Sequence, residues 1–347
     1  MDRRTSLHYP IEHRPESGET LAVAPGIAWI RMPLPFALDH VNLWLLDDDD
    51  GYTIVDSGIA LDSIKDLWDR ILANVCHDRP VKRLIVTHFH PDHLGLAQWL
   101  QCKLELPIWV TQGEFLTARA VYEQMPGYSV AAMLKQFQRH GLDRPRLDAL
   151  AARGNGYRRV VPELPSTYRR IFDGEEFQIG ANRWRVMVGY GHSPEHAALY
   201  CKALGIMISG DMLLPRISTN ISVLAATPDA DPLGWFLESL ARYAHLPADT
   251  LVLPSHGRPF RGLRERVAQL SAHHAERCDA LLAECGAHAG PRSAGELLQT
   301  LFPRELDTHQ VMFAMGEAIA HLNHLEQRAL LQRIEGEDGI IRFAARR

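Results

Sequence analysis

Leu84-Ile85-Val86-Thr87-His88-Phe89-His90-Pro91-Asp92-His93 is the stretch that decides how this chain reads. Leu84-Ile85-Val86 has the character of a buried strand, and Pro91-Asp92 that of a first helical turn, so the leading histidines fall on the loop between them. Two positions apart on a loop, His88 and His90 can aim their rings at one point. Asp92 and His93 then lie just beyond, able to serve a second point. Imidazole nitrogen and carboxylate oxygen are donors that zinc accepts. Two ions roughly 3.5–4 Å apart would grip both ends of a hydrolysed bond. The stretch predicts a metal site.

Six residues do not complete two coordination shells, and the chain supplies partners downstream. His192 lies in Gly189-Tyr190-Gly191-His192-Ser193-Pro194, after the strand-like Trp184-Arg185-Val186-Met187-Val188. Asp211 follows Ile206-Met207-Ile208-Ser209-Gly210, and His256 follows Leu251-Val252-Leu253-Pro254-Ser255. Each is the first strong donor after a short apolar run. Strands that release their donors at one edge are what a sheet-based site requires.

This order of motifs, with Thr53-Ile54-Val55-Asp56-Ser57-Gly58 upstream, resembles the metallo-β-lactamase-fold hydrolases from about Leu21 to about Pro259. It resembles in particular their hydroxyacylglutathione hydrolase (glyoxalase II)-like branch. The resemblance implies an α/β fold, an αββα sandwich with two divalent metal ions at one edge. It implies that His88, His90 and His192 hold one ion and Asp92, His93 and His256 the other, with Asp211 and a hydroxide bridging them. True β-lactamases of this fold replace or lack the bridging aspartate, which this chain keeps. Tyr190, where many relatives have proline, and Met212 after Asp211 depart from the family pattern and bear on the substrate pocket.

Composition frames the rest. The 347 residues are enough for one large domain and a small one, with 46% hydrophobic and 23% charged residues. A net charge of −5 gives no overall basic field for nucleic acid or an anionic membrane. The opening Met1-Asp2-Arg3-Arg4-Thr5 has no apolar stretch of a secretory signal, and five scattered cysteines read as reduced thiols. The expectation is a cytoplasmic protein without a membrane span.

Ile27–Met32 and Val41–Leu46 alternate as adjacent strands, and Leu61 to Val75 carries a helical apolar stripe. The segment from Pro33 to His40 joins two strands and could overhang the site, which makes His40 a candidate for touching substrate. From about 113 to 165, predicted helices at 114–124, 129–140 and 146–153 form an insertion. Tyr122, Met125, Tyr128, Met133 and Phe137 in it either wall the metals or pack among themselves. Residues 1–262 are then the catalytic domain and 263–347 a C-terminal one. The latter has a long helix to Cys285, a capping box at Ser293-Ala294-Gly295-Glu296, an amphipathic helix through Val311 to Leu322, a further helix at about 325–334 and a hairpin turning at Glu337-Asp338-Gly339. This pattern resembles a small, mainly helical winged-helix domain.

The chemistry expected is hydrolysis at a carbonyl or phosphoryl centre, with Asp92 and Asp211 fixing the attacking hydroxide. Asp56 fits the orienting of a ligand imidazole. His196 either does the same or is a plain helix residue. No extra general acid is evident, which favours a leaving group such as a thiolate, whose pKa is about 8.5. A thioester or ester of a small molecule is the leading substrate class. Zinc is the first expectation for the metal, with iron or manganese accepting the same donors. Arg216 either holds an anionic substrate group or makes an ordinary surface ion pair. The rival reading is a nuclease gripping its strand with the C-terminal domain. Gln310 to Ile334 carries only Arg328 and Arg333 as strong cations, which speaks against it. The tail is read instead as contacting substrate or the second subunit of a homodimer.

Overall fold

Trp29 and Trp44 stand opposite each other in neighbouring strands and stack with centroids 6.2 Å apart, so the expected alternation is realised. The computed structural model describes residues 7–288 and 290–346. A seven-stranded sheet runs in chain order: β1 (Thr20–Ala24), β2 (Ile27–Pro33), β3 (His40–Asp48), β4 (Gly51–Val55), β5 (Val81–Ile85), β6 (Ile108–Val110) and β7 (Arg169–Arg170). Neighbours are antiparallel as far as β4 and parallel beyond it. Parallel neighbours need crossovers. Helices Asp62–Asn74 and Ala97–Leu104 provide two of them and pack on β2 and β5.

The second sheet has five strands: β8 (Glu176–Ile179), β9 (Asn182–Gly189), β10 (His196–Cys201), β11 (Ile206–Gly210) and β12 (Leu251–Pro254). Alternate residues of both sheets share one core, with Ile27, Trp29, Trp44 and Leu46 from the first and Trp184, Val186, Leu199 and Ile208 from the second. Residues of the opposite phase in β2 and β3, among them Ile30, Met32, Leu43 and Leu45, are buried too. On the second sheet, the last turn of helix Pro232–Tyr243 is fastened to β9: Arg242 donates to the Val188 carbonyl, and Tyr190 N–H to Ser239 Oγ. The αββα sandwich is therefore observed.

Packing divides the chain into two compact units. The first collects residues up to Arg119, Tyr157–Thr219 and Ser239–Val267, and the second Ala120–Gly156, Asn220–Glu238 and everything from Ala268. A single cut near 262 does not reproduce this division, because most of the predicted insertion joins the C-terminal segment. Within the second unit Phe137 is buried, whereas Met125 is exposed.

Helix Thr308–Gln327 is the axis of the second unit, packing against Ala294–Leu301, Arg144–Arg153 and a hairpin of β13 (Leu331–Glu335) and β14 (Ile341–Ala345). It is buried without interruption from Ala314 to Leu325, so the amphipathic expectation there is corrected. A helix covered all round belongs at a centre. The further helix expected at 325–334 is also absent. Nothing breaks the helix before Gln327, Ala329 turns the chain at φ +59°, and pairing with β14 claims 331–335 as strand. The capping box at Ser293 is present as expected, and a second one, Asp307 with Gln310, was not anticipated. No helix among the described residues is long and apolar enough to cross a membrane. The cysteines are free thiols, all buried except Cys102.

Candidate metal centre

One edge of the sandwich receives the donors. Asp56 follows β4, His88 to His93 follow β5, His192 follows β9, Asp211 follows β11, and His256 follows β12. His40 opens β3 and His196 opens β10, antiparallel strands that begin at the same edge. Pro91 starts the short helix Pro91–Leu94, whose cap His90 has the extended backbone (φ −61°, ψ 151°) that swings its ring away from the helix.

Two clusters result. In one, His88 Nε2 lies 3.0 Å from His90 Nδ1 and 3.2 Å from His192 Nε2. In the other, Asp92 Oδ2 lies 3.5 Å from both His93 Nε2 and His256 Nε2. Asp211 stands between them and divides its oxygens: Oδ2 is 3.5 Å from His192 Nε2, and Oδ1 is 3.3 Å from His256 Nε2 and 3.7 Å from His93 Nε2. All seven sequence-predicted donors are thus brought together.

Each cluster fits a metal ion. Donors 2.0–2.1 Å from a tetrahedral zinc stand about 3.3 Å from one another, the spacing found here. His93 Nε2 and Asp211 Oδ1 are buried without a hydrogen-bond partner among the described residues, which native interiors avoid. Charge points the same way. Burial opposes protonation of His93, yet Asp92, Asp56 and Asp211 pull its pKa well above the usual histidine value. Burial would raise Asp211, but His256, His93 and His192 hold it well below the carboxylate range. Asp92 falls to about 2, with burial again outweighed by His93 and His256. His90 is pushed down to about 3, chiefly by burial and then by His192. One side of the site calls for positive charge and the other offers neutral imidazoles.

Hydrogen bonds behind the donors fix which nitrogen faces inward. Asp56 Oδ2 accepts from His93 Nδ1 at 2.8 Å, and the His40 carbonyl accepts from His256 Nδ1 at 2.7 Å, so Nε2 of both rings faces the site. Thr87 hydroxyl donates to Asp56 Oδ2 at 2.8 Å and accepts from His88 Nδ1 at 3.0 Å, linking His88 to the carboxylate that holds His93. Asp56 itself sits at φ +64°, a left-handed conformation uncommon outside glycine.

The remaining expectations fare differently. His196 is a strand residue, not a helix residue, and its Nε2 accepts the Asp211 N–H at 3.1 Å. The ring of His40 is engaged at both nitrogens, by Asp39 and by the Gly257 N–H. Its part in the site is the carbonyl that holds His256. Arg216 is exposed and has no ion-pair partner among the described residues, which removes the ordinary surface pair. Its loop is pinned by Arg266, which donates to the carbonyls of Leu214 and Ile217. Sequence reasoning missed Thr87, Glu114, Tyr157 and Asn42, the last of which donates to the carbonyls of Pro254 and Gly257 around His256. None lies in a spacing pattern that could have marked it.

The chain matches known proteins along nearly its whole length. The profile of the Metallo-beta-lactamase superfamily covers residues 37–256, and that of the Metallo-beta-lactamase-like C-terminal domain covers 278–346. A crystal structure of a beta-lactamase domain protein from Burkholderia ambifaria superposes with a TM-score of 0.91 at 47% identity, covering 98% of each chain. A metallo-beta-lactamase family protein from Thermus thermophilus gives 0.78 at 31% identity over 94% of this chain and 100% of its own. The probable metallo-hydrolase YqjP of Bacillus subtilis is 25% identical over 305 residues, 86% of this chain and 91% of that protein. With histidines and aspartates gathered where such a fold works, the chain belongs to the metallo-β-lactamase superfamily and is one of its metallo-hydrolases.

Proposed function

We propose that this protein is a binuclear hydrolase of a small-molecule thioester or ester, of the glyoxalase II-like kind. The observation that carries the binuclear reading is the divided Asp211 carboxylate, one oxygen toward each cluster. His88, His90 and His192 would hold one ion, Asp92, His93 and His256 the other, with Asp211 shared. Two divalent ions, zinc first, supply a water acidified to a pKa of about 7 and polarise the scissile group.

The protein's own groups do the rest. Asp211 and Asp92 are the carboxylates that orient the attacking water, and Asp92, with a side chain 19% exposed, is the one that lies toward solvent. Asp56, Thr87 and the His40 carbonyl keep the imidazoles aimed. Because His40 uses both ring nitrogens on the protein itself, and His196 is fully buried with its Nε2 accepting the Asp211 N–H, neither is placed to protonate a leaving group. A thiolate leaves without that help, which favours a thioester over an amide. Arg216, exposed and without an ion-pair partner among the described residues, suits an anionic substrate such as a carboxylate or phosphate conjugate.

A nucleic-acid substrate finds less support. Arg333 pairs with Asp229 and Glu326, and Arg342 with Asp338, so these C-terminal cations are already neutralised. The test is metal content together with turnover of acyl-glutathione and acyl-CoA thioesters, lactones, phosphodiesters and single-stranded RNA, with Asp211→Ala as control. Thioester or ester turnover with two ions per chain, lost in the variant, is the expected result. Phosphodiester cleavage without thioester turnover would overturn the proposal.

A further inference from the structure

Phe89, between the first two histidines of the motif, is gripped at both its N–H and its carbonyl by residues outside every motif. Phe89 N–H donates to Glu114 Oε2 at 2.9 Å, and the Phe89 carbonyl accepts from the Tyr157 hydroxyl at 2.7 Å. The other Glu114 oxygen, Oε1, accepts from the Ser193 hydroxyl at 2.7 Å and from Glu195 N–H at 2.6 Å. Ser193 is the neighbour of His192. Glu195 returns the grip: its Oε2 accepts from Gly113 N–H at 2.7 Å, and its carbonyl accepts from Thr111 Oγ1 at 2.8 Å. Glu114 is 1% exposed, and its three bonds tie the loop after β5 in one sheet to the loop after β9 in the other. Those two loops carry His88, His90 and His192.

We infer that Glu114, assisted by Tyr157, is the positioning residue that sets the spacing of the His88–His90–His192 cluster and so its affinity for a metal ion. The inference rests on the ligand assignment proposed above. The other cluster has separate supports, Asp56 behind His93 and the His40 carbonyl behind His256. A defect in Glu114 should therefore fall on one ion and spare the other. The carboxylate is chemically required. With three donors pointing at it, both oxygens must accept, and a glutamine amide would set its NH2 against a donor on one side or the other.

The experiment is a titration of metal-free protein with cobalt(II) against a competing chelator, followed by the d–d spectrum, on the wild type, Glu114→Gln, Glu114→Asp and Tyr157→Phe. Thermal unfolding of each metal-free protein runs alongside. The expected result is two ions in the wild type. Glu114→Gln should bind one of them about 10–100-fold more weakly, the effect usual for groups that orient metal ligands. The second ion should bind as in the wild type, and the metal-free protein should melt only a few degrees lower, the cost of a buried unsatisfied donor. Tyr157→Phe, which removes one hydroxyl, should weaken the same ion by a smaller factor, and it carries the test if Glu114→Gln does not fold. Equal affinities in all variants would overturn the inference. So would equal loss of both ions together with a fallen melting point, which would make Glu114 a folding residue only. A wild type that never binds two ions would instead overturn the ligand assignment.

Discussion

Gly210 shows how narrowly the site is built at the level of single residues. It lies immediately before Asp211 at φ +53°, and a Cβ placed there would come within 2.2 Å of His196 Nε2. Any side chain must push away the ring that accepts the Asp211 N–H. Gly210→Ala is expected to cost about 1–3 kcal/mol in a urea titration and to lower activity more than that loss explains, since Asp211 loses its backbone support. Wild-type activity in a folded Gly210→Ala protein would mean that the His196 contact does not orient Asp211. Arg216 offers a second test. With no ion-pair partner among the described residues to lose, Arg216→Ala should leave stability unchanged and raise KM for an anionic substrate about 10-fold, the value of one charge-assisted hydrogen bond. An unchanged KM removes it from the site.

At the level of elements, the second unit keeps several histidines neutral inside helical packing. His140 caps helix Val130–Arg139, is 2% exposed and stacks on Phe343 of β14. Burial first, then Arg333 and Arg139, push its pKa down to about 4, against a weaker pull from Asp229. His274 donates from Nδ1 to His321 Nε2, and His321 from Nδ1 to the Glu317 carbonyl, so both rings are neutral in the fold. Burial drives them to about 2 and about 4. The folded pKa values lie below the unfolded value of about 6.5. The stability from the neutral rings is therefore complete above pH 6.5 and is lost as pH falls through the folded values. At pH 5 each such histidine has lost about 2 kcal/mol relative to neutral pH. Urea midpoints at pH 7.5 and 5.0 test this, and His140→Gln should fall less between the two than the wild type does. An equal fall would show that His140 is not part of the acid sensitivity.

At the level of the whole molecule, the donors come from both sheets: His88, His90, Asp92 and His93 from the first, His192, Asp211 and His256 from the second. Ions held between them would cross-link the sandwich at its edge. Metal present at 1,000 times its dissociation constant adds about 4 kcal/mol per site to the folded state. Chelation should lower the melting temperature by several degrees, and restored zinc should bring it back. A melting point indifferent to chelator would contradict a cross-linking role. The second unit is drawn from three separate stretches of chain, so excising residues from 263 onward is expected to leave 120–156 and 220–238 without their core and to yield insoluble or partly unfolded protein. A soluble, cooperatively melting fragment ending at 262 would refute that.

The sequence by itself determined the sandwich and the seven histidines and aspartates that gather at one edge of it. Strand alternation, proline and glycine punctuation and donor chemistry are local signals, each read within a few residues of chain. What only the tertiary structure decided are matters of long-range contact. Glu114 and Tyr157 grip Phe89 from 25 and 68 residues away. The carbonyl of His40 holds His256 from 216 residues away, while its ring is occupied elsewhere. Helix Thr308–Gln327 became a buried axis because residues from three chain segments cover it, and 331–335 became strand because β14 pairs with it. Backbone carbonyls and packing partners carry no residue-type signature, so no spacing in the chain could announce them.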